Sequence, residues 1–262
     1  MSRPAVQLYT VRDHVRNRVG FIDALDRIAA MGYGGVQLSA VGAMDLPSPE
    51  VDSLEAGALL RDRGLACVAT HRPWERLRDH LADEIAFHQH LECTYVAIGG
   101  MPREYEQLGA EGYRTFLRDS GPVIARLRDA GLRFGFHNHD REFRRAAPGG
   151  STTLFDVLID EGGADFHLEI DVYWAWHAGV DPAVLLRRCA GRVPVIHLKD
   201  KAVGTGGPEI AAIGEGNLPW DRIFEAVVAG GVEWCAVEQD TCPRDPFDCL
   251  ASSLRFLQGR LR

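Results

Sequence analysis

The chain has 262 residues, 46% hydrophobic and 25% charged, so one domain spanning 1–262 with one core is expected, and a disordered tail or fibrous repeat is excluded. Its 29 Lys and Arg against 37 Asp and Glu leave a formal net charge of −8, which repels phosphate backbones and disfavours bulk nucleic-acid binding. The six cysteines form no C-x-x-C pair and several lie in apolar runs, as reduced, structural thiols of a cytoplasmic protein would.

The first apolar segment, Ala5–Val11, is only a strand long before Arg12. No run of about 18 apolar residues follows, so neither secretion nor membrane spanning is expected. Seven more short β-rich runs come after it: Gly35–Ser39, Ala66–His71, Tyr95–Gly99, Arg133–His139, Phe166–Asp171, Val193–Lys199 and Cys235–Asp240. Stretches with helical apolar spacing lie between or after them, among them Phe21–Met31, Tyr105–Ala130 and Phe247–Leu261. Gly32, Gly64, Gly131, Gly191 and Gly231 stand where left-handed residues would close helices before the next strand. Eight strand–helix units in a chain of this size predict a (β/α)8 TIM barrel. An open doubly wound sheet would place a Gly-rich turn after its first strand, and Val11-Arg12-Asp13-His14 is not one. The Gly-rich connection Lys199–Gly214 is expected to be a mobile active-site loop.

Polar residues gather at the carboxyl ends of these strands, where a parallel barrel keeps its chemistry. Thr70-His71, His137-Asn138-His139, His167/Glu169/Asp171, His197/Lys199 and Glu238/Asp240 all fall there, and residues two apart share a face. Burying such groups without partners costs several kcal/mol each. A cation drawing Asp171, His197 and Glu238 together, with a strand-five histidine as fourth ligand, removes most of that cost. An imidazole–carboxylate set suits Mn, Zn, Co or Fe(II) rather than Ca. His14, His80, His88 and His90 fall in helical or loop segments with polar neighbours and are expected to face solvent.

The motifs Phe136-His137-Asn138-His139-Asp140, Glu169-Ile170-Asp171-Val172-Tyr173-Trp174, Ile196-His197-Leu198-Lys199-Asp200, Ile213–Trp220 and Val237-Glu238-Gln239-Asp240 resemble the sugar phosphate isomerase/epimerase family of xylose-isomerase-like TIM barrels, over nearly the whole chain. The resemblance implies one divalent ion (Mn, Zn, Co, Fe or Mg) held by Asp171, His197 and Glu238. His137 stands where the epimerases carry a glutamate that is both ligand and acid/base. Trp174 replaces another usual histidine. Endonuclease IV-like chemistry is not expected, because strand four ends Ile98-Gly99-Gly100 and Ala202–Ile213 has no Asp-x-His, leaving too few ligands for three metals.

The expected substrate is a ketose, keto-sugar or related polyol, with an unphosphorylated one favoured because no phosphate loop is evident. A base removes the proton beside the carbonyl, and reprotonation gives an epimer or isomer, whereas loss of β-hydroxide makes a dehydratase. Glu238 is the first candidate base and His139 the second. Lys199 is expected to stabilise anionic charge or pair with Asp200, Glu238 or Asp240. Glu169 is expected to orient a ligand, and Glu142 to replace the missing strand-five carboxylate. His71 is expected beside the substrate. Trp74, Tyr173, Trp174 and Trp176 are candidate walls for a sugar ring. The alternatives are a lyase acting on a keto-inositol or 3-keto-sugar, and a non-catalytic sugar-binding barrel. A homo-oligomer is compatible with the sequence.

Overall fold

The computed structural model describes residues 2–261. Eight parallel strands close into a barrel: β1 (Arg3–Gln7), β2 (Gly35–Leu38), β3 (Ala66–His71), β4 (Tyr95–Ile98), β5 (Arg133–His137), β6 (Phe166–Asp171), β7 (Val195–Leu198) and β10 (Trp234–Val237). Their order around the barrel follows the chain, and β10 closes on β1 through the Ala5–Ala236 register. The TIM-barrel expectation therefore holds. The five glycines expected to close helices all have positive φ, from 65° at Gly64 to 97° at Gly32. No helix among the described residues is long and apolar enough to cross a membrane.

Local chemistry explains the helix starts. Asn17 accepts from Gly20 N–H ahead of helix Arg18–Met31, Thr153 and Asp156 form a reciprocal capping box, and Asp181 and Asp245 cap helices that begin with proline. The segment expected as one helix over 105–130 is two, Arg103–Glu106 and Gly109–Asp129. The break falls at Gln107 and Leu108, just before Gly109, whose φ is 57°. The first strand stops at Gln7, and a 3-10 turn takes Leu8–Val11. The Gly-rich connection after β7, expected as a mobile active-site loop, forms an antiparallel hairpin, β8 (Asp200–Gly204) with β9 (Gly207–Ala211).

The main core lies between the barrel and its helices, and a smaller apolar cluster that includes Ala5, Val68, Tyr95, Ala97, Val195 and Ala236 fills the barrel. Tyr95 fits because β5 carries Gly135 beside it: a Cβ there would stand 2.0 Å from the phenol oxygen. Above this apolar plug the inward-facing residues turn polar, which sets the floor of the site.

Candidate active site

Register decides which polar side chains meet. His137 on β5 lies level with Glu169 on β6, and Asp171 lies level with His197 on β7. The four expected ligands therefore do not form one ring. Two clusters form, each with donor atoms within 4.8 Å of one another: His71, His137, Glu169 and His197 on the inner side, and Asp171, His197 and Glu238 on the outer. His137, expected beside Asp171 and Glu238, has its donor atoms grouped with Glu169, while its ring lines the same cavity as Glu238 and Lys199. His197 belongs to both clusters through its two ring nitrogens.

In the outer cluster, His197 Nδ1 is 2.9 Å from Glu238 Oε2 and 4.0 Å from Asp171 Oδ2. Lys199 Nζ hydrogen-bonds Asp240 at 2.6 Å and stands 3.0 Å from Glu238 Oε2 and 3.1 Å from Asp171 Oδ2. Asp171 Oδ1 is engaged elsewhere, accepting Trp174 N–H at 2.9 Å as cap of helix Val172–His177. Lys199 thus pairs with three carboxylates. Asp200 is not among them: its carboxylate turns away and accepts from the backbone N–H groups of Lys201, Gly214, Gly216 and Leu218 and from Trp220 Nε1.

In the inner cluster, Glu169 Oε2 faces three imidazoles: His71 Nε2 at 2.5 Å, His197 Nε2 at 3.2 Å and His137 Nδ1 at 3.6 Å. Gln37 braces the group, donating to Glu169 Oε1 at 2.9 Å and offering its oxygen to His197 Nε2 at 2.7 Å. Glu169 thus meets imidazoles from three strands through one oxygen. Gln37 escaped the sequence reading, although a buried amide in the apolar run Gly35-Val36-Gln37-Leu38 is the kind of residue that marks a polar site.

The electrostatics follow from burial and charge. Burial opposes protonation of His197, but Glu169 and Glu238 outweigh it and raise it to about 10. Burial alone would raise Glu169 and Glu238; His197 and His71 bring the first down to about 2, and Lys199 and His197 hold the second below the usual carboxylate range. Asp171 is pushed up to about 6, by burial and by the Glu238 charge, against the pull of Lys199. Lys199 is held above its ordinary value because its carboxylates outweigh burial. Burial and the neighbouring imidazoles lower His137, and burial with the nearby Arg141 brings His139 down to about 4, so both rings are neutral at pH 7.

These groups open onto a cavity of about 210 Å³ whose lining includes His71, His137, His139, Lys199, Glu238 and Asp240. A larger, more apolar cavity of about 360 Å³ adjoins it, sharing Ser39 and His71. Trp174 flanks the site, its ring 5.6 Å from that of His139 and 5.7 Å from Lys199 Nζ. Tyr173 is buried against Trp174 and His177.

Several other expectations change. Glu142 is buried and holds the loop after β5, accepting His139 N–H at 2.7 Å and Arg141 Nε at 3.2 Å, so it replaces no ligand. Trp74 packs in the aromatic core against Phe116 and Phe134. His88 is fully buried rather than solvent-facing: its Nδ1 donates to the Glu84 carbonyl and its Nε2 accepts from Thr70 Oγ1. His90 is half-buried against Ser53, whereas His14 and His80 are exposed. All six cysteines are free thiols.

The donor set fits a divalent cation. Asp171 Oδ2, His197 Nδ1, Glu238 Oε2 and His137 Nδ1 are buried without a well-formed hydrogen bond, and imidazole nitrogens mixed with carboxylate oxygens suit a transition ion.

The chain belongs to the xylose isomerase-like TIM barrel family, whose model matches residues 25–259. A sugar phosphate isomerase/epimerase from Parabacteroides distasonis is 18% identical with a TM-score of 0.80, covering 100% of this chain and 96% of its own. An L-ribulose 3-epimerase is 15% identical with a TM-score of 0.74, covering 100% and 95%. The probable 3-DHS dehydratase AsbF of Bacillus anthracis is 13% identical with a TM-score of 0.73, covering 99% and 100%. At these identities the likeness is one of fold. No curated protein matches the sequence.

Proposed function

We propose that this family member is an isomerase or epimerase of a ketose, keto-sugar or related polyol, assisted by one divalent cation (Mn, Zn, Co, Fe or Mg). The observation that carries this reading is the convergence of Glu238, His139 and Lys199 on one small polar cavity above an apolar plug. A bound divalent ion polarises the substrate carbonyl and acidifies the C–H beside it.

The remaining chemistry belongs to side chains. Glu238 is ionised and reaches the cavity, and His139 presents a neutral ring with an unpartnered, buried Nδ1. Together they supply proton carriers from two parts of the cavity rim, the ends of β10 and β5. The Lys199 ammonium stabilises negative charge developing on the substrate oxygen. Trp174, beside His139 and Lys199, offers an apolar wall to one face of a sugar ring. The substrate is a small molecule in this reading, with neither nucleic acid nor membrane as partner. A cytoplasmic setting agrees with six free thiols, and a homo-oligomer is compatible with it.

A lyase or dehydratase is the second reading, favoured by the imidazole of His137 where a second carboxylate would complete a two-carboxylate proton exchange. Incubation with a panel of unphosphorylated ketoses and keto-inositols, followed by NMR, separates the two. An epimer or isomer supports the first, a conjugated product supports the second, and unchanged substrates with every metal tried sink both.

A further inference from the structure

The polar cavity at the strand ends is small. Its volume of about 210 Å³ lies below the roughly 300–1,000 Å³ of most small-ligand sites, and charged and hydrogen-bonding groups dominate its lining. It suits a sugar, which carries an oxygen on nearly every carbon. The adjoining cavity of about 360 Å³ differs in kind. Leu38 at the end of β2, Val41, Met44 and Leu46 from the loop that follows, and Phe87 from helix Leu81–His90 give it an apolar wall. Hydroxyls lodged against that wall would lose water without gaining partners, which costs free energy. The second cavity therefore suits a part of the ligand that is not sugar.

One molecule can occupy both, because Ser39 and His71 line both cavities. The apolar cavity also runs on into another of about 280 Å³, with which it shares Met44, Leu46 and Phe87 and whose lining includes no barrel-strand residue. Leu46 is 58% exposed there, leaving apolar surface that a ligand would favourably cover.

Charge decides the class of that ligand part. Arg72 and Arg76 line the apolar cavity, but both are committed to the fully buried Glu84: Arg72 donates through Nε at 2.5 Å and Nη2 at 2.8 Å, and Arg76 through Nε at 2.9 Å. The Arg72 guanidinium also lies over the Phe87 ring, 4.3 Å from its centroid. Asp45 on the same wall supplies a second negative charge, so cations and anions balance and an anionic group such as phosphate gains no net attraction.

We infer that the substrate is a glycoside with an uncharged apolar aglycone, its sugar beside His139, Lys199 and Glu238 and its aglycone against Met44, Leu46 and Phe87. The sugar end rests on the function proposed above. The anomeric carbon is where a sugar ordinarily carries a non-sugar group, and a glycosidic bond masks the carbonyl of that carbon. The carbonyl that reacts is then a ketone on another ring carbon.

The test is isothermal titration of the whole chain, with Mn(II) present, comparing phenyl with methyl glycosides of the same hexoses in both anomeric forms. Hexose 6-phosphates serve as anionic probes. The phenyl glycoside of at least one hexose should bind more than about 10-fold tighter than its methyl counterpart, the gain expected from burying a phenyl-sized apolar group. In the double variant Met44→Gln/Leu46→Gln, shown to be folded by circular dichroism, the phenyl-to-methyl ratio should fall toward one. Equal affinity for the two forms, including binding of neither, overturns the inference. So does a gain confined to the 6-phosphates, or a phenyl gain that survives in the folded double variant. Turnover of unsubstituted ketoses without a phenyl gain overturns this inference and keeps the isomerase reading. A phenyl gain without chemistry on any carbonyl sugar sinks the isomerase reading and keeps the aglycone site.

Discussion

Asp171 caps the backbone of Trp174 with one carboxylate oxygen, at 2.9 Å, and presents the other to Lys199 at 3.1 Å. One residue therefore fixes the start of the helix that carries the aromatic wall and closes the charge balance of the site.

The two roles separate by substitution. Asp171→Asn keeps an oxygen for the cap and removes the charge, whereas Asp171→Ala removes both. Both variants are expected to lose turnover, and the alanine variant should be less stable than the asparagine variant by about 1 kcal/mol, the usual worth of an N-cap. Urea denaturation of the pair measures the difference.

Lys199 is expected to be structural and functional at once. Lys199→Met leaves the buried Asp171 and Glu238 and the partly exposed Asp240 with only the His197 ring to offset their charge, a change that costs roughly 3–5 kcal/mol when one partner of a buried pair is removed. Lys199→Arg should not restore it, because a planar guanidinium does not fit the point at which three carboxylates meet. Thermal melts of both variants, with turnover assays alongside, check this.

Asp200 holds the hairpin's base. Its carboxylate accepts five hydrogen bonds, from Lys201, Gly214, Gly216 and Leu218 backbone N–H and from the Trp220 indole, between 2.7 and 3.2 Å. Asp200→Ala leaves those buried or half-buried donors unsatisfied at about 1–3 kcal/mol each in the worst case. The expected result is a marked loss of stability together with protease cleavage within 201–219, read by mass spectrometry of limited digests.

His88 predicts an acid limb in stability. Burial pushes its imidazole down to about 4 from the ordinary 6.5. The unfolded chain takes up this proton near pH 6.5 and the folded chain only near pH 4, so stability is full above 6.5 and declines as pH falls toward 4. The size is about 3 kcal/mol for a shift of this order. His88→Gln should flatten that limb between pH 6.5 and 4 in denaturation curves, even if it lowers stability at pH 7.

Much of this was legible in the sequence, for physical reasons. Strand and helix periods and five helix-closing glycines specify the barrel, and the two-residue alternation brings Asp171, His197, Lys199 and Glu238 to one rim. The sequence does not carry the shear between β5 and β6, which lowers His137 to the level of Glu169. Gln37 was hidden because its partners lie 132 and 160 residues away. His88 looked solvated because the buried face of helix Leu81–His90 carries Glu84 and His88, and these are satisfied by Arg72, Arg76 and Thr70 from outside the helix. The hairpin was masked by Gly204-Thr205-Gly206-Gly207, which reads as loop while serving as its turn.

Solvent deuterium exchange tests proton transfer at the carbon beside a carbonyl most directly. The metal-loaded protein is incubated with unphosphorylated ketoses in D2O and the sugars are followed by proton NMR. Loss of one C–H signal next to the carbonyl, abolished by Glu238→Gln or His139→Ala, is the expected result. Retention of every C–H signal by a folded, metal-loaded protein across the panel would contradict it and leave a sugar-binding barrel in its place.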